Sequence, residues 1–211
     1  MMTREQRQFI QIIAALTMLI DHIGAVFFPA AAGMRAIGRL SFPLFAFGIA
    51  QGVACTSDFR KYFIRILIAA VVSQPIYYML FGITQLNPLF MLAWGAAALY
   101  FWQQEKKAIA AVLLIGSAFV DMSYSWYGVW TIFFFGFYAV KESLCFYGQV
   151  AINALYGLTT GAWIQILSLF SFAFLDGKWR VDALSKKLPR YFFYVFYPLH
   201  LLVLWGIKII L

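Results

Sequence analysis

Seven ionisable side chains fall inside or at the edges of long apolar runs: Asp21, His22, Arg35, Arg39, Asp121, His200 and Lys208. Histidine takes and returns a proton near neutrality, which suits general acid–base work. The planar guanidinium of arginine grips a carboxylate or phosphate through two parallel hydrogen bonds. A charge at the centre of a bilayer costs roughly 2.5–3.5 kcal/mol on insertion scales, so such residues face a cavity or a partner. Several of them in one short chain point to a polar pocket. The plainer alternative is a set of ion pairs that only fix helix packing, for example Asp21 with Arg39.

Spacing sharpens the picture. Neighbours on a helix point in different directions, so Asp21 need not orient the imidazole of His22. Asp21 is expected to pair with Arg39 or Arg35 while His22 faces the cavity. Arg35 and Arg39 are four apart and share a helix face, and Pro43 removes the hydrogen bond that the Arg39 carbonyl would accept. Pro75, after Ser73 and Gln74, does the same to a third helix, and Pro198 frees the carbonyl of Tyr194 in the last. Three proline-kinked helices with polar neighbours fit a wet cavity at membrane depth. Tyr194, Tyr197 and His200 recur every three residues and form one polar stripe, although interfacial aromatics would explain the tyrosines equally well. Asp121 falls in a turn between two apolar runs. No nucleophile elbow, phosphate loop or metal-binding helix motif is present, and no metal is expected. A Ser-His-Asp assembly stays open, with no serine singled out.

These residues have to be held by membrane helices. The chain is 64% hydrophobic and 11% charged over 211 residues, with mean hydropathy +0.83. A soluble domain is about half apolar and about a quarter charged, so the bilayer must act as solvent. The net charge of +8 is spread over short clusters between apolar runs, without a basic stripe or arm, and no nucleic-acid partner is expected. Those clusters are Arg4/Arg7, Arg60/Lys61/Arg65, Lys106/Lys107, Lys141 and Lys178 through Arg190. The positive-inside rule sets them in the cytoplasm, so an even number of crossings separates consecutive clusters. The expectation is an all-α polytopic bundle of about nine transmembrane helices (range 8–10), residues 1–211 forming a single domain. The N-terminus lies inside, with turns near Pro29–Gly33, Gly82–Pro88, Asp121–Tyr127 and Gly157–Gly161. The exceptions to the charge rule are Arg35, Arg39 and Lys208. The first run, Phe9 to about Phe28, reads as a membrane helix and not as a cleavable signal. Cys55 and Cys145 both fall near cytoplasmic loops, where a disulfide is not expected.

Five segments carry a resemblance to the TraX family: M-L-I-D-H-I-G (Met18 to Gly24), G-R-L-S-F-P-L-F-A-F (Gly38 to Phe47), S-Q-P-I-Y-Y (Ser73 to Tyr78), L-N-P-L-F (Leu86 to Phe90) and Y-V-F-Y-P-L-H-L (Tyr194 to Leu201). That family is associated with acetylation of the N-terminal amine of conjugative pilin. In outline it is similar to the membrane acyltransferase-3 group, where a first-helix histidine is held essential and acetyl-CoA approaches from the cytoplasm. The resemblance implies a multi-pass protein of the bacterial cytoplasmic membrane. It would move acetyl from acetyl-CoA to an amine, such as a pilin or peptide N-terminus, or to a hydroxyl such as that of a glycan. By resemblance His22 matches the first-helix histidine, Arg39 the arginine of the second segment and His200 the histidine of the last. His22 would then be general base or, second, acetyl carrier. Arg39 and Arg35 would bind anionic groups or hold Asp21, and His200 with Tyr197 would position the acceptor or stabilise an oxyanion. Tyr194, Gln74 and Asp121 complete the expected binding set. A small proton-coupled transporter using Asp21, His22 and Arg39 as a relay is the main rival, although no internal repeat supports it. A membrane scaffold without chemistry is the other.

Overall fold

The computed structural model describes residues 4–175, 189 and 191–211; the basic residues from Lys178 to Arg190 lie outside them. Ten α-helices occur among the described residues: α1 (Arg4–Phe27), α2 (Ala32–Gly38), α3 (Ser41–Cys55), α4 (Phe59–Phe81), α5 (Pro88–Gln103), α6 (Lys107–Gly116), α7 (Ser125–Phe135), α8 (Glu142–Thr160), α9 (Phe172–Leu175) and α10 (Phe192–Ile210). A 3-10 turn (Ser117–Phe119) follows α6, and a 3-10 helix (Trp163–Ser171) leads into α9. The all-α expectation holds.

The expected count of about nine full spans does not. Among the described residues, four helical stretches are long and apolar enough to cross a bilayer: Glu5–Phe27, Ala32–Cys55, Phe59–Phe81 and Phe192–Ile210. The reason is length. Crossing the hydrocarbon core takes about 20 apolar residues in a helix. Helix α5 has 16 residues and α7 has 11. Helix α8 has 19 residues but carries Glu142, Gln149, Asn153 and two threonines. The segments Lys107–Phe119 and Trp163–Leu175 are shorter apolar helices. The expected turns nevertheless fall where helices end. Helix α4 stops at Gly82 and α8 at Gly161, both in the left-handed conformation that glycine accepts.

Local chemistry fixes the ends. Asp58 caps α4, its carboxylate accepting from the Lys61 backbone N–H at 3.0 Å, and that hydrogen bond holds the carboxyl below its ordinary range. Asn87 caps α5 ahead of Pro88 at the first helical position. The three basic residues that break the charge rule are all engaged. The Lys208 ammonium donates to the Leu80 carbonyl at 2.8 Å, at the C-terminal end of α4. Arg35 and Arg39 are ion-paired to Asp21.

Without water between helices, packing replaces the hydrophobic drive, and small residues let backbones approach. Ala93, Ala96 and Ala98 of α5 are buried, and Gly95, Gly128 and Gly136 receive Ile132, Met91 and Leu99 across the α5–α7 contact. A large buried cluster spans α1, α3, α5 and α7, including Ala14, Phe47, Leu99 and Ile132. A smaller one joins Met18, Tyr77, Leu80, Tyr197, Leu201 and Leu204. Helix α1 touches both, so the residues following Met18 sit at their junction. Outward, α4 exposes Ile64, Ile68, Val71 and Val72, and α10 exposes Val195, Leu199 and Val203. Such faces suit lipid.

Candidate active site

The last turns of α1 present Asp21 and His22 in different directions, as helical spacing demands. Asp21 is buried and turns towards the break between α2 and α3. Its Oδ2 lies 2.8 Å from the Arg35 guanidinium and its Oδ1 2.9 Å from that of Arg39. Spacing alone allowed either arginine, and the carboxylate takes both. The break itself is written in G-R-L-S-F-P. Pro43 stands third in α3, in the first turn that proline tolerates, and α2 ends five residues earlier. Gly38 lies against Asp21, whose side chain would collide with any Cβ there.

Each edge of the Arg39 fork is engaged. Nε donates to the Arg35 carbonyl at 3.1 Å, one terminal nitrogen to Asp21 and the other to Gln165 Oε1 at 3.2 Å. Gln165 in turn donates to the Tyr127 hydroxyl at 3.2 Å, which bonds Asn153 (3.2 Å) and Ser168 (3.3 Å). Asn153 and Gln149 continue this buried polar chain along α8. Two arginines against one carboxylate leave the cluster one positive charge in excess, which at membrane depth favours an anionic group nearby.

His22 turns the other way. Its Nδ1 lies 2.8 Å from Nε2 of His200 on α10, and Phe81 packs edge-on against its ring at 5.2 Å. The two imidazoles are within 10° of parallel, with centroids 5.1 Å apart. His200 Nδ1 lies 2.9 Å from the Phe196 carbonyl.

A cavity of about 380 Å³ runs beside α1, a size typical of small-ligand sites. Arg7, Gln8, Gln11 and Gln51 line it at one end, Phe45, Phe47, Leu89 and Leu92 along its walls, and Asp21, His22 and Tyr197 at the other. Arg7 and Asp21 lie almost four helical turns apart on α1, so the cavity runs along most of that helix. Tyr194 also lines it. The hydroxyl of Tyr197 is buried, with no protein hydrogen-bond partner among the described residues.

The TraX protein family matches residues 6–208. The chain belongs to the TraX family. The match contains every segment on which the resemblance was drawn. A probable fimbrial assembly protein, FimC of serogroup H1 from Dichelobacter nodosus, is 23% identical over 232 residues, covering 96% of this chain and 95% of that protein. No solved structure matches.

Within this TraX chain, the structure brings together Asp21, His22, Arg35, Arg39, Tyr194, Tyr197 and His200, but not Gln74 or Asp121. Gln74 is a clamp: its Nε2 donates to the Gln85 carbonyl at 2.9 Å, and its Oε1 accepts from the Asn87 backbone (2.8 Å) and side chain (2.9 Å). It secures the α4–α5 turn and does not line the cavity. Asp121 is exposed in the loop before α7, where its backbone pairs with Leu86. Sequence reasoning missed Gln165, Tyr127 and Tyr124. The unused signal was Gln149 and Asn153, four apart in an apolar helix and so on one face of it. Tyr124 has a positive φ and stacks on Phe42, with centroids 4.3 Å apart, against the cavity. A strained backbone of this kind gathers at functional sites.

Proposed function

We propose that this protein is a membrane acetyltransferase that moves acetyl from acetyl-CoA to an amine, such as a pilin or peptide N-terminus, or to a hydroxyl acceptor. The observation that carries the reading is the cavity beside α1, polar and basic around Arg7 and lined at the other end by His22. A long donor with anionic phosphates at one end and a thioester at the other matches that polarity. The name of the fimbrial relative supports an acceptor connected with pili. The basic ends of α1 and α4 lie in the cytoplasm, where the donor is, and the chain is a multi-pass protein of the bacterial cytoplasmic membrane.

His22 is the general base. It takes the acceptor's N–H or O–H proton as the new bond to the acetyl carbon forms. The carbon–sulfur bond then breaks and the proton passes from His22 to the departing thiolate. Tyr197, whose buried hydroxyl has no protein partner among the described residues, donates to the developing oxyanion. The excess positive charge of the Arg35–Asp21–Arg39 cluster stabilises the same transient anion. Asp21 holds both guanidinium groups in place, and Gln165 steadies Arg39 from the far side.

The test is to incubate the purified protein with radiolabelled acetyl-CoA and a peptide bearing a free N-terminal amine. Label on the peptide, absent when the amine is blocked, supports amine transfer. Label on neither this peptide nor a hydroxyl-bearing glycan, with no thiol released, turns the reading towards a non-catalytic assembly role, to which the relative's name is also suited.

A further inference from the structure

The chain has two histidines, and they are hydrogen-bonded to each other. The 5.1 Å between ring centroids matches the 2.8 Å nitrogen–nitrogen distance plus the two ring radii, so the rings lie edge to edge in nearly one plane. The hydrogen bond therefore points along the lone pair of one nitrogen. Which ring donates follows from the far side of His200. Its Nδ1 faces the Phe196 carbonyl at 2.9 Å, and a carbonyl oxygen only accepts. His200 Nδ1 must carry the proton. In a neutral imidazole the other nitrogen then holds a lone pair, so Nε2 of His200 accepts and Nδ1 of His22 donates.

Resting on the reading of His22 as base, we infer that His200 is a positioning residue that holds His22 in its Nδ1–H tautomer and leaves His22 Nε2 as the basic nitrogen at the inner end of the cavity. That nitrogen has no protein hydrogen-bond partner among the described residues, and His22 lines the cavity. The usual partner for such a histidine is a carboxylate. Here the adjacent carboxylate, Asp21, is committed to Arg35 and Arg39, and a neutral imidazole takes its place. The arrangement accommodates a proton without creating a new buried charge on His22 alone. When Nε2 takes the acceptor's proton, Nδ1–H is already aimed at His200 Nε2, and the charge is shared across the pair. As the thiolate leaves, the proton on His22 Nε2 goes to sulfur and the pair returns to its starting form. The ring of Phe196, 4.9 Å from that of His200 and within 11° of parallel, holds the second imidazole in register.

With two histidines in the chain, nitrogen-15 NMR of the imidazole-labelled full-length protein resolves four ring nitrogens. The expected result is two Nδ1–H rings, whereas a free imidazole side chain favours Nε2–H. His200→Gln keeps an acceptor for His22 Nδ1 and is expected to preserve the His22 tautomer and most of the thiol release from acetyl-CoA. His200→Ala returns His22 to mainly Nε2–H and lowers thiol release by about tenfold or more, part of the roughly 10²–10⁴-fold a positioned base supplies. Nε2–H on His22 in the unmodified protein overturns the inference, and so does equal thiol release in the Ala and Gln variants. The Nδ1–H pair without thiol release from the unmodified protein sustains the tautomer assignment and overturns the acetyltransferase reading instead.

Discussion

Gly38 lies so close to Asp21 that a methyl group at position 38 would occupy the space of the carboxylate. Glycine is there to let the start of the α2–α3 break close onto α1, and the ion-pair cluster exists because it does. Gly38→Ala is therefore expected to act as a site mutation although it removes no functional group. It should abolish measurable acetyl transfer while far-ultraviolet circular dichroism in detergent stays unchanged. Gly33→Ala, where a Cβ meets nothing within 4 Å, is the matched control and should be silent.

Asp21→Asn leaves two guanidinium groups against a neutral amide. Removing one partner from a buried ion pair costs about 3–5 kcal/mol, so the thermal midpoint in detergent should drop sharply. Arg39→Met in the Asp21→Asn background should recover part of that loss, since it removes one of the stranded charges. A double variant no more stable than Asp21→Asn would argue that the cluster is not energetically coupled.

Gln165→Leu tests the support behind Arg39. Truncating one side of a buried hydrogen bond leaves the Tyr127 hydroxyl and one Arg39 nitrogen short of a partner, at about 1–3 kcal/mol. The expected signature is coupling: Gln165→Leu should cost activity in the native background and almost nothing beyond Arg39→Ala. Additive losses in kcat/KM would separate the two residues.

Gln74 and Asp121 should now behave differently from the cavity residues. Asp121→Asn is expected to change neither stability nor turnover, because the side chain is exposed and away from the cavity. Gln74→Leu loosens the clamp on Asn87 and should lower the thermal midpoint while leaving KM for the donor unchanged.

How much of this was legible beforehand differed from residue to residue. The partners Asp21, Arg35 and Arg39 could be named because a charge in an apolar run needs a counter-charge, and the set contained one nearby carboxylate for two arginines. Pro75 and Pro198 stand inside α4 and α10, where each removes a backbone donor as expected, whereas Pro43 sits in the first turn of a new helix. The His22–His200 contact was not legible, since it depends on how α10 packs beside α1 across most of the chain. Gln165 was hidden for the same reason, as a lone amide in an apolar run has no sequence neighbour to betray its partner. The span count failed because apolar runs were measured by composition. Helices α6 and α7 end at Gly116 and before Gly136 after 10 and 11 residues, short of a bilayer, and α8 interrupts its apolar run with Glu142, Gln149 and Asn153.

Cys55 offers an independent probe of the cavity mouth. Its sulfur is exposed and 3.3 Å from the Arg7 guanidinium, whereas Cys145 is buried. Maleimide should label Cys55 selectively, and acetyl-CoA should slow the labelling if the donor's anionic end settles beside Arg7. A rate indifferent to saturating acetyl-CoA would place the donor elsewhere.

The most direct measurement is release of the CoA thiol from acetyl-CoA by detergent-purified protein, run beside His22→Ala with both proteins shown to be folded. The account predicts turnover in the native chain and a fall of about a hundredfold or more in His22→Ala. Thiol release at equal rates in both proteins would contradict the role given to His22, and no release from well-folded native protein would contradict the acetyltransferase reading as a whole.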